Sequence, residues 1–371
     1  MRNLLFTNCT KKDSELFFLT TFMGRGFLAK MNVDSGKTEY CDIMEGFVLE
    51  KTSAVMDFFE IFQGKIYALD SYGNNLVVFD LIRNQCKYIP LKCNYQKGNN
   101  FAAFEKYGKS YYIFPRYGNK IMILDIDKNR ITEMQRSFGD GKKIQCICRA
   151  GNDMWILPEN ADQIYCYSIS ENKEKVYKLG RIIQNCVHSV FNESSLYILN
   201  MYGVIYRWDI ERTELYEITA LETKHDENES MSRILYAGNR LITLPGYGNY
   251  IRLFDILTEK TSVYCDYPKD FKYQSTWLKY YGYCEDEKFY YFAAASANYL
   301  LKIEKMSGGL TWIKVDKDSL REKTLELLAQ AGVNMFSEGG LDIMDLLQLE
   351  VSGNCQADND SIGKKIYDAL A

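Results

Sequence analysis

GKIYALDSYGNNLVVFDLIRNQCKYIPL, from Gly64 to Leu91, decides the fold. Three short strands are expected in it: Lys65 to Asp70, Leu76 to Phe79, and Lys87 to Leu91. Runs of β-branched and aromatic residues are broken by the Tyr72-Gly73-Asn74 turn and by a polar turn opened by Asp80. Such alternation marks an antiparallel meander. A meander this small cannot bury its own faces, so copies of it must stack.

The chain carries those copies. Segments on the same template begin at Ser14, Gly108, Gly151, Ser194, Gly238 and Glu287, which makes seven with Gly64. Anchored on Leu16, Ile66, Tyr111, Met154, Leu196, Leu241 and Phe289, the steps are 50, 45, 43, 42, 45 and 48 residues. Four-stranded propeller blades repeat at about 40–50 residues, and rings hold about four to eight blades. An apolar run before each copy supplies the innermost strand: Leu4 to Cys9, Val55 to Phe62, Phe101 to Tyr107, Ile144 to Arg149, Cys186 to Phe191, Ile234 to Ala237 and Trp277 to Cys284. The expected fold is all-β, a seven-bladed β-propeller of four-stranded antiparallel blades over residues 1–315. The blades fall near 1–45, 53–92, 100–137, 143–180, 185–220, 231–266 and 276–315. All seven are complete and in phase, and no leftover strand signals how the ring shuts.

After Val315 the period ends. A helical C-terminal tail is expected over 316–371. Its first helix runs from Ser319 to Ala331 behind a Ser319/Glu322 capping box, its second from Leu341 to Leu349, its last from Ser361 to Leu370. The tail would dock on the ring or on a partner.

Composition narrows the classes. The chain is 47% hydrophobic and 14% aromatic with 29 Tyr, a residue that packs its ring and keeps its hydroxyl wet at a rim. A net charge of −4 with mixed signs and no basic stripe disfavours nucleic acid. No window is long and apolar enough for a membrane helix, and Met1 to Lys12 has no leader pattern. The 11 Cys are an odd number, fall mostly inside strand runs and include no CxxC pair, so they read as reduced core thiols of a cytoplasmic protein.

Near-identical turns join second and third strands: Tyr72-Gly73-Asn74, Tyr117-Gly118-Asn119, Tyr247-Gly248-Asn249 and the shortened Tyr202-Gly203. Gly and Asn at a tight hairpin are first of all turn chemistry. In a propeller, however, these turns share one face of the disc, so their tyrosines would ring it. Ligand binding is therefore expected at Arg25, Tyr72, Asn74, Arg116, Tyr117, Asn119, Glu159, Asn160, Tyr202, Tyr247, Asn249 and Asn298. Asp80, Asp125, Asp209 and Asp255 open the turns of the opposite face and read as backbone caps.

The blade pattern resembles the broad kelch-like and quinoprotein-like propeller group. Asp34-Ser35-Gly36-Lys37-Thr38 looks like the D-x-G-x-T turn of that group, and Gly309-Leu310-Thr311-Trp312 resembles an Asp-box tail. The departures are clear: Trp208-Asp209 is a lone WD pair, and the only Gly-Gly doublets are Gly308-Gly309 and Gly339-Gly340. The resemblance implies a fold and no specific activity.

A binding or scaffold module recognising a peptide, a protein partner or a saccharide is thus expected, with no cofactor and no catalytic or metal-binding residues. The alternative is a propeller hydrolase or lyase acting on a carbohydrate, with acidic residues or a metal in the channel, for which Glu159, Asn160 and Asp162 could serve. Of the two His, His188 lies in an inner-strand run and reads as interior, and His225 lies in the polar segment Glu222 to Ser230.

Overall fold

The computed structural model describes residues 6–22, 25–48, 56–70, 75–91, 101–118, 120–136, 138, 142–220, 230–247, 250–271, 280, 282–293 and 298–315. These form seven separate four-stranded sheets, each built from four consecutive antiparallel strands. Blade 1 spans Phe6–Val48, blade 2 Met56–Pro90, blade 3 Phe101–Gln135 and blade 4 Ile144–Ile183. Blade 5 spans Cys186–Ala220, blade 6 Ser230–Val263 and blade 7 Gly282–Lys314. The expected helical tail and His225 lie outside the described residues. The template stretch resolves into Lys65–Asp70, Asn75–Asp80 and Gln85–Pro90 behind the inner strand Met56–Phe62.

Pairing across the first turns fixes the phase. Lys11 faces Leu16, Ile61 faces Ile66, Lys106 faces Tyr111 and Glu285 faces Tyr290. Tyr290, rather than the Phe289 of the sequence alignment, is therefore the blade 7 equivalent of Leu16.

Cores lie between blades, because each sheet presents apolar residues on both faces to its neighbours. One cluster joins Tyr67, Leu69 and Val78 of blade 2 to Tyr111, Ile113 and Met122 of blade 3. Another joins Trp155 and Ile164 of blade 4 to Leu196, Ile198 and Trp208 of blade 5. Part of the tyrosine richness is spent here: Tyr67, Tyr111, Tyr167 and Tyr291 are essentially inaccessible. Trp208 of the lone WD pair is a fully buried packing residue. The turn aspartates do cap backbone: Asp80 Oδ1 accepts from Ile82 N and Arg83 N at 3.1 and 3.0 Å, and Asp255 Oδ1 from Leu257 N and Thr258 N at 3.1 and 2.8 Å. Those bonds favour the ionised form and lower both carboxyl pKa values.

Among the described residues, ring closure uses no shared strand. Blade 1 and blade 7 meet face to face through a cluster of Cys9, Leu16, Phe18, Met31, Tyr291, Leu300 and Val315. At the channel end of this seam Lys11 Nζ lies 2.9 Å from Asp286 Oδ2, and Tyr291 donates its hydroxyl to the same carboxylate at 3.1 Å. Burial pushes the Asp286 carboxyl up, but Lys11, the Lys288 and Phe289 N–H groups and Tyr291 together hold it at about 2. On the outer side, the Asp34–Gly36 turn of blade 1 rides against the last strand of blade 7. Gly36 has φ 71°, and a Cβ there would lie 2.2 Å from Lys314 O. The D-x-G turn is thus glycine for two reasons, backbone conformation and ring closure.

Candidate functional site

Two regions gather polar side chains: the face formed by the turns between second and third strands, and the opposite mouth of the central channel. On the first, Tyr202 of blade 5 is 51% exposed and Tyr250 of blade 6 is 52% exposed. The Tyr202 turn is pre-organised by Asn200, whose Oδ1 accepts from Tyr202 N at 3.0 Å and from Val204 N at 2.8 Å, while Gly203 takes φ 88°. Asn185 Nδ2 reaches the Tyr202 hydroxyl at 3.5 Å. The turn therefore holds its shape without the tyrosine ring, which projects from it.

The other predicted residues divide sharply. Arg116 is committed to structure: Nη1 donates to Ile144 O and Gln145 O at 3.3 and 3.1 Å, and Ile144 N donates back to Arg116 O at 2.7 Å. It clamps blade 3 to the inner strand of blade 4. Tyr117 beside it is partly exposed. Glu159 is exposed with Lys143 Nζ at 3.8 Å, and Asn160 takes φ 49° at the adjacent turn position. Asp162 is exposed on the strand that follows. Asn298 donates from Nδ2 to Asp270 O at 2.9 Å and so ties the blade 6–7 link to blade 7. Arg25 and Tyr247 end strands, and their side chains lie outside the described residues, as do Tyr72, Asn74, Asn119 and Asn249 altogether. Tyr250 escaped the sequence reading, although it stands three residues after Tyr247 in the same turn.

The channel mouth on the other face was not read from sequence. Inner strands from neighbouring blades bring Glu60, Glu105, Lys106, Arg149 and Glu285 together near their ends. Arg149 Nη1 lies 3.8 Å from Glu105 Oε2 and donates to Lys106 O at 2.8 Å. Lys106 Nζ stands 3.3 Å from the Phe62 ring centroid, a cation–π contact across blades 2 and 3. Lys305 Nζ holds Glu285 Oε2 at 2.6 Å. Burial pushes the Glu105 carboxyl up to about 7; Arg149 opposes this, while the nearby Glu60 and Glu285 charges add to it. Burial raises Glu60 as well, against the Tyr111 hydroxyl, Lys106 and Arg149. The signal available in sequence was a charge two or three residues before the first turn inside an otherwise apolar run, as in FEIF, FEKY and CICRA.

Deeper in the channel, His188 Nε2 is 3.5 Å from Arg233 Nη1, and the Arg233 guanidinium lies 4.8 Å from the Tyr283 ring centroid. Burial and the Arg233 charge lower the His188 pKa to about 3. The ring is half-buried rather than fully interior, and its lowered pKa favours the neutral imidazole. An NMR titration of the His188 ring should show no protonation between pH 8 and 5; a midpoint near 6.5 would mean that the ring is solvated. Among the described residues, no group of three or more His, Cys, Asp or Glu is placed to hold a metal ion, and no helix is long and apolar enough to cross a membrane.

No protein-family model matches the chain, and no curated protein matches it. Solved structures do. The computationally designed Ika8 protein aligns with TM-score 0.54 at 11% identity, covering 85% of this chain and 89% of its own. The WD40 repeats of RRP9 align with TM-score 0.52 at 12% identity, covering 79% and 88%. PorZ, a bacterial surface component of the type-IX secretion system of Porphyromonas gingivalis, aligns with TM-score 0.53 at 13% identity; 85% of this chain is covered but only 38% of PorZ. At such identities the likeness is one of fold: the chain is a seven-bladed propeller similar to a broad propeller group, without a specific family.

Proposed function

We propose that this propeller is a non-catalytic binding or scaffold module that takes a peptide, a partner protein or a saccharide on the face carrying Tyr117, Tyr202 and Tyr250. One observation carries the reading: on adjacent blades, Tyr202 and Tyr250 are each about half exposed, whereas Tyr67, Tyr111, Tyr197 and Tyr291 are buried between blades. An aromatic held out by a turn that does not need it is a stacking platform. Asn and backbone groups around it supply directional hydrogen bonds. A cytoplasmic location belongs to this reading, supported by cysteines that fall mostly inside strand runs and form no CxxC pair.

The test is capture of immobilised polysaccharides and of a displayed random-peptide library by the full chain. Wild type should retain at least one probe, and the Tyr202→Ala/Tyr250→Ala double variant should lose it by about tenfold or more, since each stacking contact is worth on the order of 1 kcal/mol. Its melting temperature should stay within a few degrees of wild type. Equal retention by the variant would move the binding surface elsewhere.

A second reading, a hydrolase or lyase acting on a carbohydrate, is favoured by the channel mouth alone. There Glu105, held near neutrality beside Glu60 and Arg149, has the character of a general acid or base. Against it stands the pairing of these carboxylates with Arg149, Lys106 and Lys305, which marks them as inter-blade latches. Appearance of new reducing or unsaturated sugar ends on incubation with the same polysaccharides, abolished by Glu105→Gln, would establish the second reading over the first.

A further inference from the structure

Two pairs of thiols face each other across blade interfaces. Cys9 Sγ of blade 1 and Cys284 Sγ of blade 7 are 3.4 Å apart, although 275 residues separate them in the chain. Cys146 Sγ of blade 4 and Cys186 Sγ of blade 5 are 3.1 Å apart. All four lie on inner strands, which surround the channel. The arrangement is built by local irregularities as well as by the repeat. A register shift between Cys186 and His188 re-aims Cys186 toward the blade 4 core, and a similar shift between Ile144 and Cys146 precedes its partner.

We propose that Cys9–Cys284 and Cys146–Cys186 are oxidisable pairs that a peroxide-class oxidant converts into inter-blade disulfides, the first of which closes the ring covalently. Bond formation requires the sulfurs to approach from 3.4 and 3.1 Å to about 2.05 Å. One thiolate attacks a peroxide oxygen, breaking the O–O bond; it becomes a sulfenic acid and the other oxygen leaves as water. The second sulfur then displaces the sulfenic oxygen as a second water. Each pair thereby gives two electrons to one hydrogen peroxide and yields one disulfide and two waters.

The surroundings differ between the pairs. The contact with Cys186 Sγ, the hydrogen bond Cys146 Sγ donates to Ser189 Oγ at 3.7 Å and the Arg116 charge lower the Cys146 pKa against its burial. Cys284 is partly exposed and is raised by burial. Neighbouring Cys148 is pushed up to about 12 by burial, and its Sγ contacts Arg149 O at 3.7 Å, so it stays outside the exchange. At the closure seam the consequence is largest. Among the described residues blade 1 and blade 7 share no strand, and a bond between residues 9 and 284 would remove the loop-opening route by which this ring comes apart.

The experiment uses the full chain purified in reductant, in which all 11 thiols should react with a thiol reagent after unfolding. After hydrogen peroxide treatment and alkylation, non-reducing digestion and mass spectrometry should yield the Cys9–Cys284 and Cys146–Cys186 peptides, with four fewer thiols titratable. The melting temperature should rise by about 5 °C or more and fall back on reduction. Cys9→Ser and, as a second variant should that one fail to fold, Cys284→Ser should lose the first cross-link and most of that rise. Cys146→Ser should lose only the second cross-link. Wild-type protein that retains all its thiols, or that oxidises at other cysteines while these four remain free, overturns the proposal. So does a full thermal gain in the Cys9→Ser and Cys284→Ser proteins.

Discussion

Replacing Gly36 by Ala is expected to lower the stability of the ring by about 3 kcal/mol, seen as a fall in melting temperature of roughly 6–10 °C. Two causes add. Gly36 sits at φ 71°, a region that costs an L-residue about 1 kcal/mol or more. The new methyl would also meet Lys314 O at 2.2 Å and Ile313 Cγ2 at 3.1 Å. The carbonyl belongs to the last strand of blade 7, so relief requires blade 1 to back away from the seam it closes. The turn cannot easily yield, because Asn32 Oδ1 already fixes Asp34 N and Ser35 N at 3.1 and 3.0 Å. Gly108 and Gly151 supply the control: they have φ 59° and 60° with nothing within 4 Å of a built Cβ. Alanine at either should cost only the conformational part, about 1 kcal/mol. Equal losses at all three positions, measured by thermal or urea unfolding, would show that the blade 1–blade 7 contact contributes nothing to the penalty.

Glu105→Gln should stabilise the protein at alkaline pH and leave it nearly unchanged at pH 5. The Glu105 carboxyl titrates at about 7 in the fold against an ordinary 4.5. Between those values the folded state holds a proton that the unfolded chain has released. Wild-type stability from this group is therefore full below pH 4.5 and is lost as pH rises through 7. The loss is on the order of 2 kcal/mol once solvent screening of a partly exposed side chain is allowed for. Glutamine keeps the shape without the charge that stands 3.8 Å from Arg149 Nη1. The stability difference between variant and wild type should therefore grow from pH 5 to pH 8. A flat difference would mean that Arg149 and Lys106 neutralise Glu105 fully and that the carboxylate is an ordinary ion-pair partner. The same variant separates the functional readings, since it should leave capture on the tyrosine face intact.

Much of this molecule was legible before any coordinates. Strand period, turn residues and a repeat of 42 to 50 residues are local properties written into every copy, so blade number, strand count and the capping role of Asp80, Asp125, Asp209 and Asp255 followed from them. What a side chain does once the blades are packed is not local. Tyr117 and Tyr202 occupy equivalent turn positions, yet Tyr117 is partly buried beside an Arg116 bound to the next blade's backbone and Tyr202 is half exposed. Only the neighbouring blade decides between them. The charges of Glu60, Glu105 and Arg149 looked like interruptions of apolar runs until the ring set three inner strands side by side. Cys9 and Cys284 are 275 residues apart and meet because the first and last blades must bury each other's faces. Periodicity thus determined the repeating unit, whereas the closure of the ring, through packing between units distant in sequence, decided which residues are buried, paired or free to meet a ligand.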